Sequence, residues 1–235
     1  MDANNETGVL HPLAEASALC RRHGALLHVD AVQSAGRIPL SLSARGADSL
    51  ALSAHKMGGP KGAGALLLAP SVAAAIPPMI AGGGQERGRR GGTPALPAIA
   101  GFAAACVAAC GTLDAQVRLG GLRDRIERAA VAAGAIVCGA GANRLANTTC
   151  LALPGRRSEV QLIALDLAGF AVSAGAACSS GKVARSHVLE AMGLSDLAGQ
   201  AIRVSLPWSV RDQEIERFIA AYDVVARGRE AGRAA

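Results

Sequence analysis

The sequence predicts an α/β fold, and three observations carry that reading. Short apolar runs recur along the first half of the chain, stopping at an acid or following a glycine turn. Segments with apolar residues at helical spacing lie between such runs. Hydrophobic residues make up 51% and charged residues 18% of the 235, a balance that excludes disorder. Short apolar strands separated by helices or turns build a sheet covered on both faces. Ligands of such sheets bind among the loops beyond the strand ends. With three Phe, one Trp and one Tyr, the core must be Ala, Val, Leu and Ile around close-packed Gly.

Residues 12–22 read as a helix with Leu13, Ala16 and Leu19 on one face, ended by Gly24. Residues 25–29 read as a strand that stops at Asp30. A second strand, 49–53, follows Gly46-Ala47-Asp48. A third, 63–68, follows the turn Gly58-Gly59-Pro60-Lys61-Gly62. The glycine- and arginine-rich stretch 82–93 is loop. An alanine-rich helical pattern then runs from Leu96 to about Val131, with Gly111 and Gly120-Gly121 as candidate breaks. The domain boundary is placed in this region, with residues 1–112 in one domain and 113–235 in a smaller α+β domain. The second half reads as strand 148–153, helix 159–167, strand 171–173, a Gly/Ala/Ser loop around Cys178, helix 186–192, strand 201–206 and helix 212–226.

Charge and cysteine usage narrow the function classes. Lys and Arg number 24 against 18 Asp and Glu, a net charge of +6. The basic residues are scattered apart from Arg87, Arg89 and Arg90, and aromatics for base stacking are scarce. Nucleic acid is therefore not the expected partner. No apolar run reaches the roughly 18 residues of a spanning helix. The start, MDANNETG, lacks the basic-then-apolar order of a secretory signal, so a cytoplasmic protein with free thiols is expected. No C-x-x-C occurs, and no zinc site is expected. Cys106 and Cys110 lie in the apolar run FAAACVAAC and are expected to be buried.

Four features carry chemistry. In His28-Val29-Asp30-Ala31-Val32-Gln33 an apolar strand ends in an acid. Asp30 reads either as a turn cap or as a carboxylate held to pair with a cation on a ligand. In Ser53-Ala54-His55-Lys56-Met57-Gly58-Gly59 a lysine follows a strand and precedes a glycine turn. Lys56 is either a surface cation or, if buried, an amine of lowered proton affinity suited to a Schiff base. If the two strands share a parallel sheet, Asp30 and Lys56 emerge at one edge. The loop Gly82–Thr93 is either a flexible surface loop or an anion site of glycine N–H groups and arginines. It lacks the Walker A pattern. Cys178, in Ala177-Cys178-Ser179-Ser180-Gly181-Lys182, is either a chance surface thiol or an accessible thiolate near Lys182 and Arg185.

Taken together these stretches resemble the cysteine desulfurases, pyridoxal-phosphate enzymes of the class V aminotransferase group. The resemblance spans nearly the whole chain, from Asn4-Asn5-Glu6-Thr7-Gly8 through HVDA, SAHK, GGGQERGRRGGT and ACSSGK to Ile202-Arg203-Val204-Ser205. Several separated motifs in one order are specific where one alone is not. The resemblance implies pyridoxal-phosphate-dependent transferase fold type I, with part of the large domain and the small C-terminal domain. It implies that Lys56 carries the Schiff base, that Asp30 keeps the pyridinium nitrogen protonated, and that Gln33 and Asn5 contact the ring hydroxyl and its surroundings. Ser53 and His55 would bind the phosphate, and Thr93 would reach the phosphate of the partner subunit in a homodimer. Arg203 would clamp the carboxylate of L-cysteine. Cys178 would take the substrate sulfur as a persulfide, leaving L-alanine, and pass it to a sulfur-acceptor or iron–sulfur scaffold protein.

The resemblance also implies departures. Family members carry a further segment before the Asn-Asn-Glu motif, with a phosphate-binding turn and a histidine that stacks on the ring. On that ground the chain is expected to be a truncated form, inactive or nearly so by itself. The alternatives are an inactive remnant that pairs with other proteins, or a related selenocysteine lyase or class V aminotransferase. Cys178 favours sulfur transfer over plain transamination, which needs no thiol.

Overall fold

Asp48 sets where the first sheet begins. Its Oδ2 accepts the Leu27 backbone N–H at 2.7 Å, and the strand that follows is β1 (His28–Asp30). The computed structural model of the chain describes residues 1–175 and 185–228. Within them, β1 runs parallel to β2 (Ser49–Ser53), with His28 opposite Ser49 and Asp30 opposite Ala51. β3 (Gly64–Leu68) returns antiparallel to β2, giving the order β1-β2-β3. The expected strand 25–29 is thus shorter and shifted, because Leu26 is 66% exposed and pairing starts only past Asp48.

α1 (Leu13–Arg22) faces this sheet through Leu13 and Ser17, which are buried. Leu19, read as part of the apolar stripe, instead points outward at 51% exposure. The reason is polar: the Ser17 hydroxyl donates to the Gly46 carbonyl at 2.8 Å and turns the helix toward that loop. The small core here is Leu13, Val29, Ala31, Ala47 and Leu50. After β3 come α2 (Pro70–Ala73), with Pro70 in its first turn, and α3 (Leu96–Gly111). α3 is apolar all round, yet it buries only Phe102. Cys106 is therefore half-buried and Cys110 exposed, against the expectation that both are buried.

The helical pattern 96–131 breaks at Thr112–Asp114, and α4 (Ala115–Ala132) continues through Gly120 and Gly121. Glycine inside a helix costs about 1 kcal/mol relative to Ala. Here Leu119, Leu122 and Ile126, buried beside those glycines, keep the helix intact. The chain divides into two units: Met1–Ala3 with His11–Leu113, and Asn4–Leu10 with the described residues from Asp114 onward.

The second unit is built on an antiparallel sheet of order β4-β5-β7-β6. Its strands are β4 (Ile136–Val137), β5 (Thr148–Ala152), β6 (Ser173–Ala174) and β7 (Ala201–Ser205). α5 (Ser158–Leu167) and α7 (Asp212–Arg227) join α4 over one face. The two-residue period of the strands sorts the core. Leu151, Ile202 and Val204 meet Leu122, Ile126, Leu165, Ile215 and Phe218 on the helical face. Cys150, Ala152 and Ala201 meet Leu189 of α6 (His187–Ala191) on the other. Arg203, between Ile202 and Val204, is directed to that second face. Three of the five aromatics gather in the helical core: Phe170 sits edge-on to Phe218 at 5.4 Å, and Tyr222 stacks on Phe218 at 6.1 Å.

Candidate functional site

In the first unit the predicted residues collect where β1 and β2 end. Asp30 closes β1, and its Oδ1 accepts the Val32 N–H at 3.0 Å in a tight turn. The parallel pairing ends there, with the Ala31 N–H on the Ala51 carbonyl at 3.0 Å. At the same end, β2 passes into a 3-10 turn, Ala54–Met57, that carries Lys56. Ser53 Oγ and His55 Nδ1 lie 2.8 Å apart at its start. Gly58, with φ of 83°, ends the turn in a conformation that L side chains rarely adopt. The Gly59 N–H returns to the Ala54 carbonyl at 2.9 Å. Lys56 is half-buried and His55 exposed.

Gln33 lies in the turn after Asp30 and is also half-buried. One residue that sequence reasoning missed joins the two turns. Arg37 donates from Nη1 to the Gln33 carbonyl and from Nη2 to the Lys56 carbonyl, the latter at 3.2 Å.

Thr93 is placed differently. It is exposed at the end of the glycine- and arginine-rich loop and bonds to none of the other candidates among the described residues. Within the loop Glu86 and Arg87 both stand at positive φ, 51° and 58°, so the segment 85–88 is irregular, as the sequence predicts. Arg90 donates to the Gly91 and Gly92 carbonyls at 3.3 and 2.7 Å, and Arg89 donates to the Ala73 carbonyl. Two of the three clustered arginines thus hold backbone in place.

In the second unit Asn5 and Arg203 meet. Arg203 Nη1 donates to the Asn5 carbonyl at 2.7 Å, and Nη2 to Ser173 Oγ at 2.9 Å. The segment that carries Asn5 is itself folded around Asn4. The Asn4 Oδ1 accepts the Glu6 and Thr7 backbone N–H groups at 2.9 and 3.0 Å. Glu6 is buried and accepts from the hydroxyl of Ser186, which caps α6 by accepting the Leu189 N–H at 3.0 Å. Cys178, the predicted sulfur carrier, lies outside the described residues.

The other thiols differ sharply in access. Cys138 and Cys150 sit opposite each other at the end of β4 and in β5, 1% and 3% exposed, with the Cys138 N–H on the Cys150 carbonyl at 2.9 Å. The side-chain bond with Cys138, reinforced by burial, pushes the Cys150 thiol well above its ordinary range. Burial and the neighbouring Cys110 also raise the Cys106 thiol. An alkylating reagent is therefore expected to modify Cys110 first among these and Cys106 more slowly. Cys138 and Cys150 should react only after denaturant is added. Peptide mass mapping reads the order, and native-state labelling of Cys150 at the rate of Cys110 would show that the β4–β5 edge opens.

The sequence profile of the aminotransferase class-V family matches residues 1–218. The chain belongs to this family. A cysteine desulfurase of Bradyrhizobium diazoefficiens is 42% identical, and the match covers the whole chain and 60% of the relative. A cysteine desulfurase of Cereibacter sphaeroides is 44% identical over 93% of the chain and 56% of the relative. The solved structure of a NifS-like protein from Rickettsia africae superposes with a TM-score of 0.86 at 34% identity, covering 95% of this chain and 60% of that one. The α/β fold expected from the sequence is thus shared with this NifS-like protein. The chain spans about three fifths of the length of the relatives it matches. Among the described residues no single helix is long and apolar enough to cross a membrane.

Proposed function

We propose that this chain carries the reacting residues of a pyridoxal-phosphate-dependent cysteine desulfurase. Residues 1–112 would hold the cofactor, and residues 113–235 would form the small domain. The observation that carries the reading is the shared end of two parallel strands. An acid closes β1, and the lysine turn leaves β2 beside it. Relatives 42–44% identical, named cysteine desulfurases, support the substrate.

The donor set fits pyridoxal phosphate. Asp30 uses Oδ1 on Val32, which leaves Oδ2 as acceptor for a ring N–H. Ser53 and His55, joined at the strand end, offer a hydroxyl and an imidazole to a phosphate. Bound there, the cofactor supplies an aldehyde that condenses with amines and a ring that takes up electrons.

The chain's own groups would do the rest. Asp30 would hold a proton on the ring nitrogen, and Gln33 and Asn5 would orient the ring. Lys56 would bind the aldehyde and, once displaced by substrate, move a proton at the substrate α-carbon. Arg203 would hold the carboxylate. The Cys178 thiolate would attack the substrate sulfur. The new S–S bond forms as the C–S bond breaks; its electron pair stays with carbon, which takes up a proton to give L-alanine. The persulfide would then pass to an acceptor such as an iron–sulfur scaffold protein. Thr93 would complete the phosphate site of the partner in a homodimer.

Incubation of the chain, joined to the further segment that the resemblance implies, with pyridoxal phosphate and L-cysteine tests the reading. Alanine and persulfide sulfur should form in equal amounts, with the sulfur on Cys178 by mass spectrometry. A keto acid in place of alanine would instead identify a plain aminotransferase and refute sulfur transfer.

A further inference from the structure

We propose that Arg37 is a positioning residue for Lys56, an inference that rests on the cofactor reading above. Backbone pairing between β1 and β2 ends at the bond from Ala31 to Ala51. Beyond that point the chain leaves both strands in turns, and these turns hold Gln33 and Lys56. The Arg37 guanidinium continues the connection by side chain, with one terminal nitrogen on each carbonyl. A planar fork suits such a bridge. Its two donors are fixed relative to each other, so holding one carbonyl aims the other. A lysine ammonium is a single point with no such geometry. Arg37 is half-buried, and bonds from a charged donor are stronger there than in open solvent.

A second observation places the same two turns in contact. Gly36 has φ of 73°, and a Cβ built on it would come within 2.9 Å of the Ala109 Cβ and 3.4 Å of the Met57 Cγ. The turn that carries Arg37 therefore lies within van der Waals reach of Met57 in the Lys56 turn and is seated tightly against Ala109 of α3, which leaves no room for a side chain at Gly36. The Lys56 turn is fixed on its other side by Gly58 and by the bond from Gly59 to Ala54. With Arg37 on its carbonyl, the Lys56 peptide is held from both sides. What remains free is the lysine side chain itself. Arg37 thus fixes the point from which the Lys56 side chain reaches out, relative to the acid at the end of β1. No reacting atom needs to touch the guanidinium for this role.

The test reads where pyridoxal phosphate attaches. Borohydride fixes a pyridoxyl group on whichever lysine holds it, and the lysines of this chain are Lys56, Lys61 and Lys182. In the unmodified chain, mass mapping should find Lys56 labelled in preference to Lys61. In Arg37→Met that preference should fall about tenfold or more, while the melting midpoint stays within a few degrees. Arg37→Lys, which keeps the charge but carries its donors on a single nitrogen, should fall between the two. An unchanged preference in Arg37→Met would overturn the proposal. So would a loss accompanied by a broad, early melt in both variants, which would mark Arg37 as a folding residue. An unmodified chain with no preference for Lys56 is a different failure. It would overturn the cofactor reading and, with it, this inference.

Discussion

In the chain joined to the further segment that the resemblance implies, Lys56→Ala is expected to abolish the visible absorbance that pyridoxal phosphate acquires on the protein and to reduce alanine formation from L-cysteine to the rate of free cofactor. Two losses combine. The aldehyde has no amine to hold it at the end of β2, and the proton at the substrate α-carbon has no base. A positioned acid–base group alone contributes about 10²–10⁴-fold. Stability should change by no more than about 0.5 kcal/mol, because Lys56 is half-buried and its carbonyl remains to accept from Arg37. Lys56→Arg separates charge from chemistry. It keeps a cation at the same place and should be as inactive as the alanine variant. A small alkyl amine added to Lys56→Ala should restore part of the α-proton transfer. An unchanged visible spectrum in Lys56→Ala would move the attachment to another lysine.

Legibility in the sequence followed the range of the forces involved. The placement of Asp30 and Lys56 at one end of the sheet could be read directly because each stands at or just past the end of an apolar strand, and a strand followed by a turn is a local signal. Arg37 could not. Its partners are carbonyls 4 and 19 residues away, and nothing in the sequence near it distinguishes a clamp from a surface arginine. Arg203 was singled out only through family resemblance, because its acceptors lie 198 and 30 residues away. β4 was missed for a related reason. Two residues carry no period, and pairing with β5 alone makes Ile136 and Val137 a strand. The misplaced Leu19 and Cys110 share one cause: apolar spacing marks a possible buried face, while the neighbours decide which face is covered. Ser17 on Gly46 decided it for α1. In α3 the buried face is confined to Phe102, so an apolar run left its cysteines in partial or full contact with solvent.

In the same completed chain, Arg203→Lys is expected to raise the KM for L-cysteine and lower kcat/KM about a hundredfold, with kcat at saturation much less affected. The alternation of β7 directs Arg203 away from the helical core. The Asn5 carbonyl and Ser173 Oγ then fix the plane of its guanidinium. A fork so oriented can give a carboxylate two parallel charge-assisted bonds, where a lysine gives one. A bond of that kind is worth about 1.5–3 kcal/mol, which is roughly ten- to a hundredfold in affinity. Losing the hold on Asn5 or Ser173 adds to the effect, and Ser173→Ala measures that share. It retains the guanidinium but removes one orienting acceptor, so it should weaken cysteine only a few-fold. Cysteamine, which has the amine and the thiol but no carboxylate, makes the decisive comparison. If Arg203 acts on the carboxylate, the preference for cysteine over cysteamine collapses in Arg203→Lys while the slow reaction of cysteamine stays as it was. Equal losses on both substrates would instead place Arg203 in the scaffold of the second unit, with the carboxylate held elsewhere.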